Sequence, residues 1–361
     1  MFLHDPFLGA FGLDIGDSSI KLVRLERHSP YFSPTFYKIK DIRGIDLLPG
    51  YVADGELQQP EMVRKKLLLL LGKDGKNKPI KSRWVVANLP EPKTFLKLIE
   101  IETKPKDLTT EDVEFNARKH LPMDLGDVYL DWQIINNTDN TTQVLLGAVT
   151  KTISDSYTYL LESVGLNIIA LEIEALSIAR AMITANKSYE GEARMILDLG
   201  AVRSHLILYD KNSIQFSTKL NYSGNLINTA LVQQLKISWN EAEQLKIKNG
   251  LAHDSKNAKY LKILTNLTDT LIDEIKKNLQ FYQEHFPAPN PVTHITLCGG
   301  SSALSKLDVN IAKKTKIPTI VGNPWKNIFS KLKDDTDRAM DSSLATTIGL
   351  GLRAVHNPFE K

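Results

Sequence analysis

Residues 11–25 read FGLDIGDSSIKLVRL and residues 194–210 read RMILDLGAVRSHLILYD. Each is an apolar strand that runs into Asp-x-Gly and a short turn, then returns as a second apolar strand. Asp14 matches Asp198, and Gly16 matches Gly200. The first turn, Gly16-Asp17-Ser18-Ser19, carries little side-chain bulk, so its backbone N–H groups can approach an anion closely. A carboxylate at Asp14 or Asp198 suits Mg2+ held through water. Two such hairpins about half a chain apart predict two domains of common architecture facing each other, each supplying half of a nucleotide clamp.

Two further stretches fit a clamp. HITLCGGSSALSKL, residues 294–307, is an apolar strand, a Gly299-Gly300-Ser301-Ser302 turn and a helix. A glycine pair there lets backbone pack against a flat ring or a phosphate at a helix N-terminus. Ser301 and Ser302 read equally well as plain helix caps. WNEAEQLKIKNG, residues 239–250, reads as a helix capped by Asn240, with Glu243 three residues on. Glu243 and Lys246 share one helical face. They either grip ribose hydroxyls or form a surface ion pair.

Composition narrows the partners. The 361 residues hold 45 basic and 42 acidic side chains, a net charge of +3, too balanced to argue for nucleic acid or an anionic membrane surface. Trp84, Trp132, Trp239 and Trp325 are scattered, without aromatic-basic interleaving. A single cysteine, Cys298, forms no internal disulfide and no thiolate metal site, and fits a reducing compartment. No apolar run reaches the roughly 18 residues of a membrane span. LLLLLG near residue 67 reads as a buried helix end, and MFLHDPFLGAFG lacks the pattern of a secretory signal. The expected location is the cytoplasm.

With these stretches in order, the chain resembles the actin-like ATPase superfamily, which includes actin, FtsA, MreB and the DnaK-type chaperones. The two hairpins look like its two phosphate motifs, and ITLCGGSSALSKL like its adenosine motif. LEIEALSIARAM, residues 171–182, resembles the first connecting helix, where relatives carry a Glu matching Glu174. SSLATTIGLGLRA, residues 342–354, resembles the second, with small residues for close helix packing. EAEQLKIKNG resembles the MreB segment that holds the ribose. PKDLTTEDVEFNARKHLPMDLGDVYLDWQII, residues 105–135, is not actin-like; it resembles the subdomain specific to PilM, an actin-like protein of type IV pilus assembly. TQVLLGAVTKTISDSYTYLLESVGLNIIALEIEALSIARAM and VGNPWKNI continue that match. The resemblance runs from about Gly12 to Ala354.

The resemblance implies an α/β actin-like fold, two large domains around a nucleotide cleft, with an inserted FtsA/PilM-type (SHS2-like) subdomain. Its expected parts are residues 11–92, 167–186 and 336–361 as the first domain, 93–166 as the insert, and 193–335 as the second domain with a helical portion near 225–286. Residues 187–193 read as the interdomain linker, and the last six residues as a frayed tail. ATP and Mg2+ are the implied cofactors, with Asp14 and Asp198 holding Mg2+ mainly through water. The nucleotide-binding residues are Asp14, Gly16, Asp17, Ser18, Ser19 and Lys21; Asp198, Gly200, Ala201, Arg203 and Ser204; Glu243 and Lys246; and Gly299, Gly300 and Ser301. Lys21 belongs here by position, although its strand setting reads as a solvated face. Glu174 is the candidate for positioning an attacking water.

Two departures bear on turnover. The second phosphate loop is AVRS, where relatives carry small or hydroxyl residues. Arg203 either reaches a phosphate or points to solvent, while Ser204 keeps a hydroxyl. Ala175 follows Glu174 where chaperone and MreB relatives have Pro. Nucleotide binding with slow or absent hydrolysis is expected. His205 reads as structural.

By resemblance to PilM, the chain is a scaffold binding the cytoplasmic N-terminal tail of a PilN-type inner-membrane protein, in a groove between the first domain and the insert. Phe115, Leu121 and Val128 are candidate groove walls or core. Other pilus components are implied partners, the membrane is met only through partners, and self-association is left open. The alternatives are a small-molecule kinase, with Glu174 as its base, and an FtsA-like filament protein, whose amphipathic terminal helix HNPFEK does not resemble.

Overall fold

The computed structural model of the chain describes residues 7–28, 36–74, 78–137, 140–185, 187–252, 258–328 and 342–356. In chain order it runs β1 (Phe11–Ile15), β2 (Ser19–His28), β3 (Phe36–Asp46), β4 (Val52–Ala53), β5 (Glu56–Leu57), α1 (Pro60–Leu70) and β6 (Trp84–Leu89). Then come β7 (Thr94–Ile101), α2 (Thr110–Ala117), β8 (Val128–Asn137), β9 (Thr142–Thr150), α3 (Lys151–Ser163), β10 (Asn167–Ile173) and α4 (Glu174–Met182). The remainder is β11 (Ala193–Leu199), β12 (Ser204–Asp210), β13 (Ser213–Leu220), α5 (Gly224–Leu235), α6 (Trp239–Asn249), α7 (Ala258–His285), β14 (Val292–Cys298), α8 (Leu307–Thr315), β15 (Thr319–Val321) and α9 (Ala345–Ala354).

The two hairpins of the sequence seed two sheets of the same topology. The first has strand order β10-β6-β1-β2-β3. The second contains β15-β14-β11-β12-β13, the same order in the other half of the chain. In both, three antiparallel strands are followed by two parallel ones. The central strands β1 and β11 are buried almost throughout, as both faces of each sheet are covered. The second sheet continues from β13 into β7, β9 and β8. The strands of the insert thus extend one sheet, while α3 packs Ile153, Tyr157, Leu160 and Leu161 into the core of the other.

Helices α4 and α9 lie together between the sheets. Ile178, Ala179 and Met182 of α4 pack on Ile196, Ile207 and Ile214 of the second sheet. Ile348 and Leu352 of α9 pack on Val23 and Leu25 of the first. The expected small-residue contact is observed: a Cβ on Gly349 would lie 1.8 Å from the Ser177 carbonyl oxygen. A Cβ on Gly12 would lie 2.3 Å from the Gly351 nitrogen, so α9 also rests directly on β1. The helical block over the second sheet is dominated by α7, whose buried Tyr260, Ile263, Leu264, Leu271, Ile272 and Ile275 follow helical spacing.

Thr109 caps α2 in a reciprocal capping box with Asp112. Local boundaries differ from the sequence reading in two places. Ser238, not Asn240, caps α6, paired with Glu241; its extended backbone leaves the hydroxyl facing the first-turn amides, whereas Asn240 is already helical. After Gly299 and Gly300 the chain makes only a 3-10 turn, and α8 begins at Leu307. Ser301 and Ser302 donate to the Gly200 and Gly299 carbonyls, so neither caps a helix. The 187–193 connection is coil up to β11, but its Tyr189 is buried and its hydroxyl accepts the Thr184 amide. Residues 329–341 and 357–361, including the last five of the expected tail, lie outside the described residues.

Candidate functional site

The two Asp-x-Gly turns close in the same way. The Gly16 amide donates to the Ser19 carbonyl at 3.0 Å, and the Gly200 amide to the Arg203 carbonyl at 2.9 Å. Glycine is required at the second turn, where a Cβ on Gly200 would lie 2.4 Å from the Arg203 oxygen. Because β1 and β11 end in these turns, Asp14 and Asp198 reach the same cleft. Its volume is about 250 Å³. Gly16, Asp17, Ser18, Ser19 and Lys21 line it from one side, and Gly200, Ala201, Arg203, Gly299 and Gly300 from the other. Gly299 has φ +80°, and a Cβ there would lie 2.5 Å from an Asp198 carboxylate oxygen. Gly300 faces open space.

Three carboxyls meet at the cleft floor. Glu174 opens α4 and accepts a hydrogen bond from the Thr346 hydroxyl at 3.3 Å. Asp14 accepts one from Thr347 at 3.3 Å, and Asp198 accepts from the Cys298 thiol at 3.7 Å. Burial, with Asp14 and Asp198 nearby, pushes the Glu174 carboxyl up to about 8. Burial and the Asp14 charge push Asp198 up to about 6. Burial also raises Asp14, against the opposing charge of Lys21. An acid raised on folding holds its proton in the folded state over a pH range where the unfolded chain has lost it. The free protein therefore loses stability as pH rises through that window, and a cation that replaces the protons reverses the loss. Among the described residues no group of three or more His, Cys, Asp or Glu is arranged to hold a metal directly. Two carboxyls facing one cleft, Asp14 and Asp198, suit Mg2+ carried largely by water and phosphate.

Four sequence-derived residues stand apart from the cleft lining. Glu243 and Lys246 form an ion pair at 2.7 Å on α6, and Lys246 donates to the Gly224 carbonyl at 3.4 Å. Ser301 ties the glycine turn to Gly200 at 2.9 Å. A Cβ on Gly224 would lie 2.8 Å from the Ser301 hydroxyl and 3.4 Å from Lys246 Nζ, which places the pair beside the second turn at the rim. The Ser204 hydroxyl is buried without a partner beneath that turn.

Two readings are corrected. Lys21 does not face solvent: it lines the cleft and donates to the Ser343 carbonyl at 2.8 Å, because β2 turns that face under the N-terminal approach to α9. Arg203 does not point to solvent either; it pairs with Asp17 at 3.2 Å across the cleft. Residues the sequence reading missed include Glu91, Thr346 and Thr347. Glu91 is raised by burial despite a hydrogen bond from Ser217. His205 is buried as expected, and burial and Arg203 push its ring down to about 3, but it also lines the cleft.

A second concavity, about 320 Å³, lies between the insert and the first sheet. Leu96, Leu145, Gly147, Leu171 and Leu176 line it, together with Asp131, Glu172 and Arg353. Strands β8 and β10, each at the end of its sheet, both border it. None of Phe115, Leu121 or Val128 does. Strands β7 and β9 alternate, so Val144 and Leu146 face α2 while Leu145 and Gly147 face the groove on the opposite side. Phe115 is exposed, and Val128 is buried.

Among the described residues no helix is long and apolar enough to cross a membrane. The fold matches the solved structure of a PilM–PilN type IV pilus biogenesis complex with TM-score 0.81, 21% identity, and coverage of 97% of this chain and 100% of that one. It also matches MreB5 of Spiroplasma citri bound to AMPPNP, with TM-score 0.54, 14% identity and 95% of each chain covered. EutJ, the ethanolamine utilization protein from Carboxydothermus hydrogenoformans, matches with TM-score 0.54 and 13% identity, over 95% of this chain and 88% of that one. A curated relative is the cell division protein FtsA of Buchnera aphidicola subsp. Baizongia pistaciae (strain Bp), 24% identical over 219 residues, 52% of this chain. The match spans 50%, about half, of that relative's length. These likenesses fix an actin-like ATPase fold. The sequence also matches the family described as type IV pilus assembly protein PilM over residues 12–355, and the chain belongs to that family.

Proposed function

We propose that this chain is an ATP-binding scaffold of a type IV pilus inner-membrane assembly complex that holds the cytoplasmic N-terminal tail of a PilN-type membrane protein. The observation that carries this reading is that the cleft and the groove share two helices. Helix α4 presents Glu174 to the cleft and Leu176 to the groove, and Glu172 just before it also lines the groove. Helix α9 offers Thr346 to Glu174 near one end and Arg353 to Glu172 near the other. ATP in the cleft and a tail in the groove therefore bear on the same pair of helices, and any coupling between them is reciprocal. The groove chemistry fits an extended segment with alternate apolar side chains against leucines and open strand edges beside it.

In this reading, Asp14 and Asp198 hold Mg2+ through water, and the amides of both turns meet the phosphates. Glu243 and Lys246 take the ribose, Gly299, Gly300 and Ser301 back the adenosine, and Ser204 supports the second turn. The raised carboxyls of the cleft and the crossing Arg203 favour binding with slow or absent hydrolysis, with Glu174 as the water-positioning group. Residues 11–92, 167–186 and 336–361 form the first domain, 93–166 the insert, and 193–335 the second domain. The chain meets the membrane from the cytoplasm through its partners. An FtsA-like filament and a small-molecule kinase are the competing readings.

Calorimetric titration of a PilN-type tail peptide, with ATP–Mg2+ present, tests the proposal. Binding is expected for the wild type. Gly147→Val is expected to weaken it by about tenfold or more, since the added methyls fill the groove floor against the Ile173 side chain. No heat with the wild type sinks the scaffold reading.

A further inference from the structure

Arg203 and Asp17 make a buried contact that leaves a polar atom of each without a partner. Asp17 sits in the turn after β1 and Arg203 in the turn after β11, so the pair spans the cleft. Both side chains are at least nine-tenths buried, at 10% and 4% exposure, and Arg203 Nη2 lies 3.2 Å from Asp17 Oδ1. Arg203 Nη1 and Asp17 Oδ2 are each buried without a hydrogen-bond partner. A guanidinium normally grips a carboxylate through two parallel N–H bonds. A buried pair that leaves an N–H group and a carboxylate oxygen unbonded recovers less of the desolvation of its charges.

Asp17 has a second partner that does not depend on Arg203. The Gly55 amide donates to its Oδ1 at 3.2 Å. Gly55 has φ +77°, and a Cβ there would lie 2.4 Å from Pro90 and 3.2 Å from Arg203 Nη1, so a bare backbone is needed beneath the guanidinium. The Tyr157 hydroxyl fixes this loop by donating to the Gly55 carbonyl at 3.0 Å. Arg203 lies close to the Glu91 and Glu174 carboxyls. Lys246 and Ser301, where the nucleoside is proposed to sit, stand apart from the cleft lining.

We propose that Arg203 and Asp17 form a latch that a nucleoside triphosphate opens, Arg203 exchanging the Asp17 carboxylate for the terminal phosphate. This rests on the nucleotide reading above and makes Arg203 the residue that separates triphosphate from diphosphate. The phosphate satisfies both Nη atoms, including the one now unpartnered, while Asp17 keeps the Gly55 amide. A diphosphate stops short and leaves the latch closed.

The test is calorimetry with ATP–Mg2+ and ADP–Mg2+ on the wild type, Arg203→Ala, Arg203→Lys and Asp17→Asn. The wild type is expected to prefer ATP. Arg203→Ala is expected to lose ATP affinity by roughly 10- to 100-fold, the range of a charge-assisted hydrogen bond, with ADP affinity kept within about threefold. Arg203→Lys, with charge but no fork, falls between, and Asp17→Asn binds ATP more tightly because the competitor is gone. The double variant Asp17→Asn/Arg203→Ala leaves no lone buried charge and must show the same selective loss if the single variant fails to fold. Parallel loss of ATP and ADP, or weaker ATP binding in Asp17→Asn, overturns the latch and leaves the nucleotide site standing. A wild type that binds neither nucleotide overturns both.

Discussion

Gly349→Ala is expected to destabilise the protein by about 3 kcal/mol or more, at the upper end for overpacked cores. On an exposed helix the same change stabilises by up to about 1 kcal/mol, because alanine is the better helix former. Here the added methyl would sit 1.8 Å from the Ser177 carbonyl oxygen and 2.5 Å from its carbon. Neither atom can rotate away, so α4 and α9 must separate. That separation breaks the Arg180 hydrogen bond to the Gly349 carbonyl, 3.1 Å, and shifts the hydroxyls that Thr346 and Thr347 offer to the cleft. Urea unfolding measures it as a fall in midpoint at unchanged slope. Gly351→Ala is the control: its Cβ would meet a Val23 methyl carbon at 3.2 Å, a side chain that can give. A stability gain in Gly349→Ala contradicts the packing described.

Glu172→Gln is expected to cost roughly 2–3 kcal/mol at neutral pH. The carboxylate is 1% exposed and takes both Arg180 Nη groups, at 2.5 and 2.7 Å, and Arg353 Nη1 at 2.6 Å. The two guanidinia are partly hydrated, which keeps the loss below that of a fully buried triad. Burial alone would raise this carboxyl, but the Arg180 hydrogen bond and both charges outweigh it and hold it below the ordinary glutamate range. A depressed acid contributes its stability above the unfolded value, and loses it as pH falls through the folded one. The gap between wild type and variant should therefore be full at pH 7 and close below about pH 4. Denaturant titrations at both pH values measure it. A gap that persists unchanged in acid contradicts the assignment. Tail-peptide affinity should fall as well, since Glu172 and Arg353 line the groove.

Much of the fold was legible because it is written twice. The Asp-x-Gly hairpins carry apolar strands on both arms, and the structure gives them the same sheet topology. The small residues of TTIGLG announced a close helix contact, which Gly349 makes. The site was legible where backbone geometry demands a residue type, as at Gly200 and Gly299. It was illegible where function depends on which distant ends converge. Glu91 follows a strand end like many surface acids, and only the placement of β6 beside β1 brings it near the cleft. Thr346 and Thr347 read only as small residues for close helix packing until α9 lands on β1 and α4. His205 lies on a strand buried nearly throughout, so alternation could not say which face it shows. Of the residues read as groove walls or core, none lines the groove, because α2 covers the opposite face of the insert's strands; Val128 and Leu121 pack as core.

The measurement that tests the account most directly is thermal unfolding of the wild type and Asp14→Ala, each with and without ATP–Mg2+. At about 100 times its dissociation constant a ligand adds roughly 2.7 kcal/mol to the folded state. The account predicts a clear upward shift for the wild type that Asp14→Ala loses, since the proposed clamp uses the Asp14 carboxylate to hold the cation between the two turns. An unmoved wild type, or the same shift in Asp14→Ala, would contradict a nucleotide clamp built on these hairpins.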